Sequence, residues 1–162
     1  MGKQMENKHI RTGFRAISDH RGFTLVEVMT VAVIIAILAA LAYPSYRHAV
    51  RLAKRAEGRA ALLQLMQQQE RYYLLHTRYV AFAADSTDED AKRFKWFSGE
   101  SAAVSAYEID GAPCAAESLQ ECILLTATAG SARVDRRYND PHCRVKSLSS
   151  TGMKLPADNN CW

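Results

Sequence analysis

The chain has 162 residues, of which 48% are hydrophobic and 23% are charged, with 21 Lys and Arg against 17 Asp and Glu. This length fits one domain of ordinary size, and a content of eight Gly and four Pro excludes collagen-like and Pro/Gly-rich disordered proteins. The net charge of +4 lies mostly at the start, because residues 23–162 alone carry 16 basic and 15 acidic side chains, a net charge of +1.

An apolar run of 21 residues, 23–43, contains a single charged side chain, that of Glu27. About 20 such residues are enough to cross a bilayer as a helix. A secretory signal peptide is the alternative, but it would have a shorter apolar core. A carboxylate within hydrocarbon is costly and usually marks function. The other interpretation of Glu27 is that, so near the start of the run, it reaches back to the membrane interface.

The helix is expected to continue well beyond the apolar run, to about residue 76. Pro44 follows the run directly, and it is expected to bend or locally melt the helix because proline lacks an N–H and clashes with the preceding turn. Residues 45–76 are rich in good helix formers. Apolar side chains spaced three and four residues apart predict one buried face, formed by Tyr46, Ala49, Val50, Ala53, Ala56, Ala60, Leu63 and Met66.

A polar connection with an acidic run is predicted at residues 85–103, and short strands follow it. Their β-branched and alternating residues and the turn signal at Thr151 and Gly152 are typical of an antiparallel sheet. One long helix followed by a small antiparallel sheet is an α+β plan. The predicted strands are residues 104–109, 122–129, 144–148 and 153–155.

Four cysteines all follow the apolar run, and their even number favours disulfides in an oxidising compartment: Cys114, Cys122, Cys143 and Cys161. Three pairings are open, and sequential pairing would join the first to the second and the third to the fourth. Zinc binding is the alternative. It is disfavoured because no two cysteines have the spacing of a zinc knuckle and His142 is the only histidine nearby.

Catalysis has no support in the sequence. The chain lacks a glycine-rich phosphate loop, a nucleophile elbow, and a His-Glu-x-x-His motif. We therefore expect neither enzymatic activity nor a cofactor or metal, and the chemistry of the chain should lie in what it assembles with or binds.

The motif RGFTLVE at residues 21–27, the unbroken apolar run and Pro44 together resemble the class III signal of type IV prepilins. The resemblance implies cleavage between Gly22 and Phe23 by a dedicated peptidase, followed by methylation of the new N-terminal amine. It also implies a partner for Glu27, namely the amine of Phe23 in a neighbouring subunit, so that the ion pair forms only on assembly.

This resemblance also implies the organisation and the partners of the chain. Residues 1–22 would be a leader peptide, residues 23–43 a transmembrane and filament-core segment, and residues 44–162 a periplasmic globular domain with the type IV pilin fold. A disulfide between Cys143 and Cys161 would close the C-terminal loop, with Cys114 and Cys122 as a second, less usual pair. The partners would be other pilin subunits, the prepilin peptidase and N-methyltransferase, the inner-membrane assembly machinery and, before assembly, inner-membrane lipid.

Several functions within this class remain open. Residues 69–73 and the ending Asn160-Cys161-Trp162 are similar to PilE-type minor pilins and to the related DNA-uptake receptor. A minor pilin that supports pilus biogenesis, adhesion or twitching motility is the main interpretation, and a type II secretion pseudopilin is an alternative. A DNA-binding pilin is another, because five basic side chains within 14 residues are candidate phosphate contacts: Arg133, Arg136, Arg137, Arg144 and Lys146.

Overall fold

The computed structural model describes residues 22–157 and 161–162 and divides the chain into two compact units, Met1–Ala42 and Tyr43–Trp162. The leader predicted at residues 1–22 lies outside the described residues except for Gly22. The helix α1 spans Leu25–His76, and the strands that follow form the predicted α+β plan, which is confirmed. The strands are β1 (Tyr107–Pro113), β2 (Ile123–Ala129), β3 (Val145–Ser149) and β4 (Lys154–Leu155).

Helix α1 begins and ends with local caps. At its start, the hydroxyl of Thr24 accepts a hydrogen bond from the Glu27 N–H at 3.2 Å, which satisfies one of the free amides of the first turn. At its end, Thr77 takes a left-handed conformation with φ of 53° and donates its N–H to the Tyr73 carbonyl. The helix passes through Pro44, so the expected local melting does not occur, because losing one hydrogen bond does not end the helix.

The buried face of α1 differs from the predicted one. Tyr46 and Leu63, which belong to the predicted face, are 69% and 48% exposed. Counting only apolar residues missed the true face, because it contains two polar side chains and a glycine whose packing partners lie far away in the sequence. The buried residues of α1 are Arg55, Gly58, Leu62, Leu65, Gln69 and Tyr72.

The four strands form an antiparallel sheet in the order β1-β2-β3-β4. Alternate side chains of β2 are buried, and they form the core with Tyr107 and Ile109 of β1 and with Leu62 and Leu65 of α1. Strand β1 starts three residues later than predicted, because Ala102–Val104 forms a short 3₁₀ helix. It also continues through Gly111, where the absence of a side chain makes room for the Phe82 ring.

The connection predicted at residues 85–103 is only partly a solvated loop. Ala91 and Phe94 are buried, and Phe94 stacks on Phe82 with ring centroids 5.4 Å apart. Phe97 of this segment bridges to Glu108, and Phe82 just before the segment bridges to Gly111, so together they cover the free edge of β1 and the segment adds to the core.

Candidate assembly segment and candidate DNA-contacting loop

The apolar run leaves α1 without cover on any side. Between residues 23 and 43 every large hydrophobic side chain is at least half exposed, from 50% at Val31 to 80% at Phe23. None of the residues in the best candidate span is buried. Because a continuous apolar surface of this kind is not stable in water, the segment needs lipid or other protein chains around it.

Glu27 lies in the first turn of this segment, where the helix dipole favours a negative charge. Its backbone N–H is capped by Thr24, but its carboxylate has no hydrogen bond or ion pair with any residue that the structure describes. A carboxylate placed at the start of an apolar helix without a partner is suited to pairing with a cation from another chain.

Two disulfides hold the C-terminal half of the globular unit. Cys114 is bonded to Cys122, and Cys143 to Cys161, with Cα atoms 5.4 Å and 5.5 Å apart. The second disulfide fastens the C-terminal segment next to the start of β3, and both of its cysteines are buried. Cys114 and Cys122 lie near Glu117, but as disulfide sulfurs they cannot act as thiolate ligands of a metal.

A buried ion pair joins α1 to the loop between β2 and β3. The Arg55 guanidinium donates two hydrogen bonds of 2.6 Å to the two carboxylate oxygens of Asp140. Asp140 also accepts a hydrogen bond of 3.2 Å from the Tyr107 hydroxyl and one of 3.2 Å from the Cys143 N–H. The loop that carries the basic residues is therefore fixed on the helix by a satisfied polar network.

The network changes the ionisation of its members. Burial acts to raise the pKa of Asp140, but the hydrogen bonds from Arg55 and the Cys143 N–H outweigh it and lower that pKa to about 2. Burial also lowers the pKa of the Lys146 ammonium to about 8, and the positive charges of Arg59 and Arg55 act in the same direction. The Tyr107 pKa is raised, mainly by burial and then by the Tyr138 hydroxyl.

Lys146 does not belong to the basic surface, and its prediction as a DNA contact is wrong. Its side chain is fully buried because β3 directs it toward α1, where Nζ donates to the Arg55 carbonyl at 3.1 Å. Nζ also lies 4.0 Å from the centroid of the Tyr107 ring. A cation held in this position stabilises the packing of β3 on the helix and cannot reach a phosphate.

Three of the five predicted basic residues line one surface groove of about 590 Å³ between residues 103–104 and 132–137. Arg133 is already paired with the carboxylates of Asp85 and Glu108, each at 3.0 Å. Arg136 and Arg137 are exposed, and neither has a carboxylate partner among residues 22–157 and 161–162. Arg144 is exposed but does not line this groove.

The Arg55–Asp140 pair was not predicted from the sequence, because its two residues are 85 positions apart. A local signal was present in the spacing of Arg55 and Gly58 with Leu62, Leu65 and Gln69 at three and four residues, but only a count that ignores polarity would have detected it.

Two family models match consecutive parts of the chain. Residues 44–146 match the family described as "Type IV minor pilin ComP, DNA uptake sequence receptor", and residues 17–43 match the prokaryotic N-terminal methylation motif. Among solved structures, the chain is similar to a type IV pilin from Shewanella oneidensis, with 24% identity, 68% of this chain and 94% of that chain covered, and a TM-score of 0.43. No curated protein matches the chain. The family match covers more than half of the sequence, and the chain is therefore a member of this type IV minor pilin family.

Proposed function

We propose that the working protein is a structural subunit of a type IV pilus that begins at Phe23 and enters the filament through residues 23–43. This proposal rests on the apolar segment at residues 23–43, whose large side chains are all at least half exposed and which requires lipid or neighbouring helices around it. Before assembly the subunit spans the inner membrane once, with its disulfide-bonded C-terminal half in the periplasm, since disulfides persist there and not in the cytosol. Its partners are then the prepilin peptidase and N-methyltransferase, the membrane assembly machinery and the other pilins.

Glu27 is the proposed assembly signal. Its carboxylate has no partner among the described residues, and the amine of Phe23 in a neighbouring subunit is a cation at the matching end of an identical helix. Docking satisfies both groups in one step within a low-dielectric bundle, although desolvation offsets much of the attraction. The pair should therefore act mainly on register and on entry into the filament.

The test is Glu27→Gln, which keeps the shape of the side chain and removes its charge. The variant should insert and be cleaved normally, but its share in sheared filaments should fall about tenfold, with Glu117→Gln on the exposed surface as the matched control. Methylation of Phe23 is scored separately by mass spectrometry. Recovery of Glu27→Gln in filaments at the control level would contradict the charge-pairing mechanism.

Cleavage after Gly22 is tested by a bulky substitution at that position. No atom of the described residues lies within 4 Å of the place where a side chain would start at Gly22, so Gly22→Leu does not disturb the described fold. An unprocessed chain, longer by 22 residues, or by 18 if translation begins at Met5, would then report an obstructed peptidase. Normal processing of this variant would contradict the proposed cleavage site.

DNA binding is the second candidate function, favoured by the family description and by the groove that contains Arg136 and Arg137. Both guanidinium groups are free of carboxylates among the described residues, so they can neutralise phosphates. In the double variant Arg136→Gln/Arg137→Gln, the slope of log DNA affinity against log salt concentration should fall by the equivalent of about two phosphate contacts. Arg144→Gln should have a smaller effect. Filament assembly should not change. Unaltered DNA retention in the double variant would exclude this groove as the DNA contact.

A further inference from the structure

A small basic cleft is lined in part by the Arg55–Asp140 pair. It has a volume of about 180 Å³ and is formed by the first turns of α1 in the globular unit and by the loop that precedes Cys143. The disulfide and the hydrogen bond from the Cys143 N–H to Asp140 hold that loop in place. The lining residues are His48, Arg51, Leu52, Arg55, Asp140, Pro141 and His142.

The charges of this cleft favour an anion. Arg55 and Asp140 neutralise each other through two hydrogen bonds, so the pair contributes no net charge to the cleft. Arg51 adds a positive charge, and it forms no salt bridge with any residue that the structure describes. The imidazoles of His48 and His142 can each donate an N–H in either protonation state. An oxyanion placed in the cleft would therefore find one cation and two neutral or cationic donors.

The position of the cleft along α1 identifies the source of the anion. His48 and Arg51 follow Tyr43, the last residue of the apolar run, by five and eight residues, about 8 Å and about 12 Å along the helix, and helical side chains lean back toward the N-terminal end. The headgroup layer of a bilayer is roughly 5–8 Å thick on each side of the hydrocarbon. Tyr43 and Tyr46 are both exposed, and Arg47 lies over the Tyr43 ring at 5.8 Å. Exposed tyrosines and basic residues directly after an apolar span are typical of the membrane interface.

We propose that, before assembly, while the subunit is in the membrane, this cleft binds the phosphate headgroup of an anionic phospholipid in the periplasmic leaflet. Arg51 supplies the charge, and His48 and His142 supply hydrogen bonds to the phosphate oxygens. Its volume suits a single headgroup, whereas a nucleic acid backbone would need a longer groove. The binding rests on the proposed membrane stage of the subunit, and it ends when the helix leaves the bilayer for the filament.

The test uses the mature full chain in phosphatidylcholine nanodiscs that contain phosphatidylglycerol, with retained lipid counted by native mass spectrometry. Arg51→Gln should reduce the retention of phosphatidylglycerol over phosphatidylcholine about tenfold, because hydrogen bonds to a charged group contribute at least this factor. His142→Gln should reduce it several-fold. Arg47→Gln is the matched control, since it removes the same charge one turn earlier on the helix but outside the cleft.

Three results would overturn the proposal. If Arg47→Gln and Arg51→Gln reduce the retention of phosphatidylglycerol equally, the attraction is diffuse, and if neither variant reduces it, there is no specific attraction. If inorganic phosphate binds to the chain in pure phosphatidylcholine discs with the same dependence on Arg51 and displaces phosphatidylglycerol, the cleft is a site for free phosphate. If Arg51→Gln lowers retention of duplex DNA and leaves lipid retention unchanged, the cleft belongs to a DNA surface.

A negative result for the headgroup site can be distinguished from a negative result for the proposed pilus function. The pilus function is tested by recovery of Glu27→Gln in sheared filaments, which does not depend on Arg51. The headgroup proposal is tested only by lipid retention of a chain that retains Glu27. A chain that assembles normally but shows no Arg51-dependent lipid would contradict the headgroup site alone.

Discussion

Asp140 is a carboxylate that the fold removes completely from water and places against the guanidinium of Arg55. Replacing such a pair by apolar residues of the same volume often costs no stability. Removing only one partner, in contrast, leaves the other as an uncompensated buried charge. The pair therefore restricts the loop between β2 and β3 to positions next to α1, because any arrangement that separates the two charged groups is strongly disfavoured.

The substitution Asp140→Asn should destabilise the globular unit by about 3 kcal/mol or more, because it leaves the Arg55 charge buried without its counter-ion. Urea unfolding of the full chain in detergent micelles, followed by tryptophan fluorescence, measures this change. Asp85→Asn is the matched control, since it removes a carboxylate from an exposed ion pair with Arg133 and should have a much smaller effect. Equal effects of the two substitutions would show that the buried pair is not special.

The same variant also tests how Asp140 contributes to the pH dependence of folding stability in acid. The pKa of Asp140 is about 2 in the folded chain, below its ordinary value of about 3.9, so its contribution is complete above about pH 4. That contribution is lost as the pH falls from about 4 to about 2. The difference in stability between the parent chain and Asp140→Asn should shrink over that window, and a constant difference would show that the carboxylate is not the titrating group.

At the scale of elements, α1 packs tightly against the sheet at Gly58. A methyl group added there would lie 2.8 Å from Cδ2 and 3.0 Å from Cε2 of the Tyr107 ring, and 3.2 Å from Nζ of Lys146. Tyr107 is fully buried and its hydroxyl is bonded to Asp140, so the ring cannot easily move away. The glycine thus permits a helix-to-sheet distance that no side chain would allow.

The substitution Gly58→Ala should destabilise the chain, although alanine is the better helix former by about 1 kcal/mol. The overpacking penalty of about 1–3 kcal/mol should exceed this gain and leave a net loss. The midpoint of urea unfolding measures the effect. In a Tyr107→Leu background, which removes the ring edge, the same substitution should no longer be destabilising. A Gly58→Ala chain more stable than the parent would mean that propensity alone governs this position.

The elements also show what could be predicted from the sequence. The apolar run is continuous, residues 45–76 are rich in helix formers and β2 alternates, so their existence was predictable. The helix and three of the strands lie within a few residues of the prediction. The buried face of α1 was not predictable by counting apolar residues, because Arg55 and Gln69 are buried only through partners elsewhere in the chain. Gln69 depends on the backbone of Val80, to which it forms two hydrogen bonds.

The candidate site, too, has one part that could be predicted from the sequence and one part that could not. The exposed apolar segment was predictable from composition, since a helix that is apolar all round needs lipid or a large protein core around it, and a chain of this size has no such core to offer. The basic cluster was predictable only as a set of residues. Lys146 lies within β3 and its side chain is buried, whereas Arg144 precedes β3 and is exposed. Carboxylates from distant segments pair with Arg133.

At the scale of the whole molecule, the globular unit depends on long-range ties, and the two disulfides should contribute differently. The Cys143–Cys161 disulfide closes a separation of 18 residues and fastens the segment that contains β4 and Trp162. The Cys114–Cys122 disulfide closes a separation of 8 residues beyond the end of β1. Each is expected to stabilise the fold by about 2–4 kcal/mol through the unfolded chain, but only the first holds the loop with Asp140 and His142 next to α1.

The double substitution Cys143→Ser/Cys161→Ser should therefore increase amide hydrogen exchange in β3, in β4 and in the loop that precedes them, and it should lower the unfolding midpoint. Cys114→Ser/Cys122→Ser should lower the midpoint by a similar amount, because closure entropy changes slowly with loop length, but its added exchange should be confined to residues 113–122. Hydrogen exchange with mass spectrometry, measured without reductant, distinguishes the two patterns. If both variants lost protection in the same segments, the disulfides would stabilise the unit globally, and the Arg55–Asp140 pair alone would have to hold the C-terminal loop on the helix.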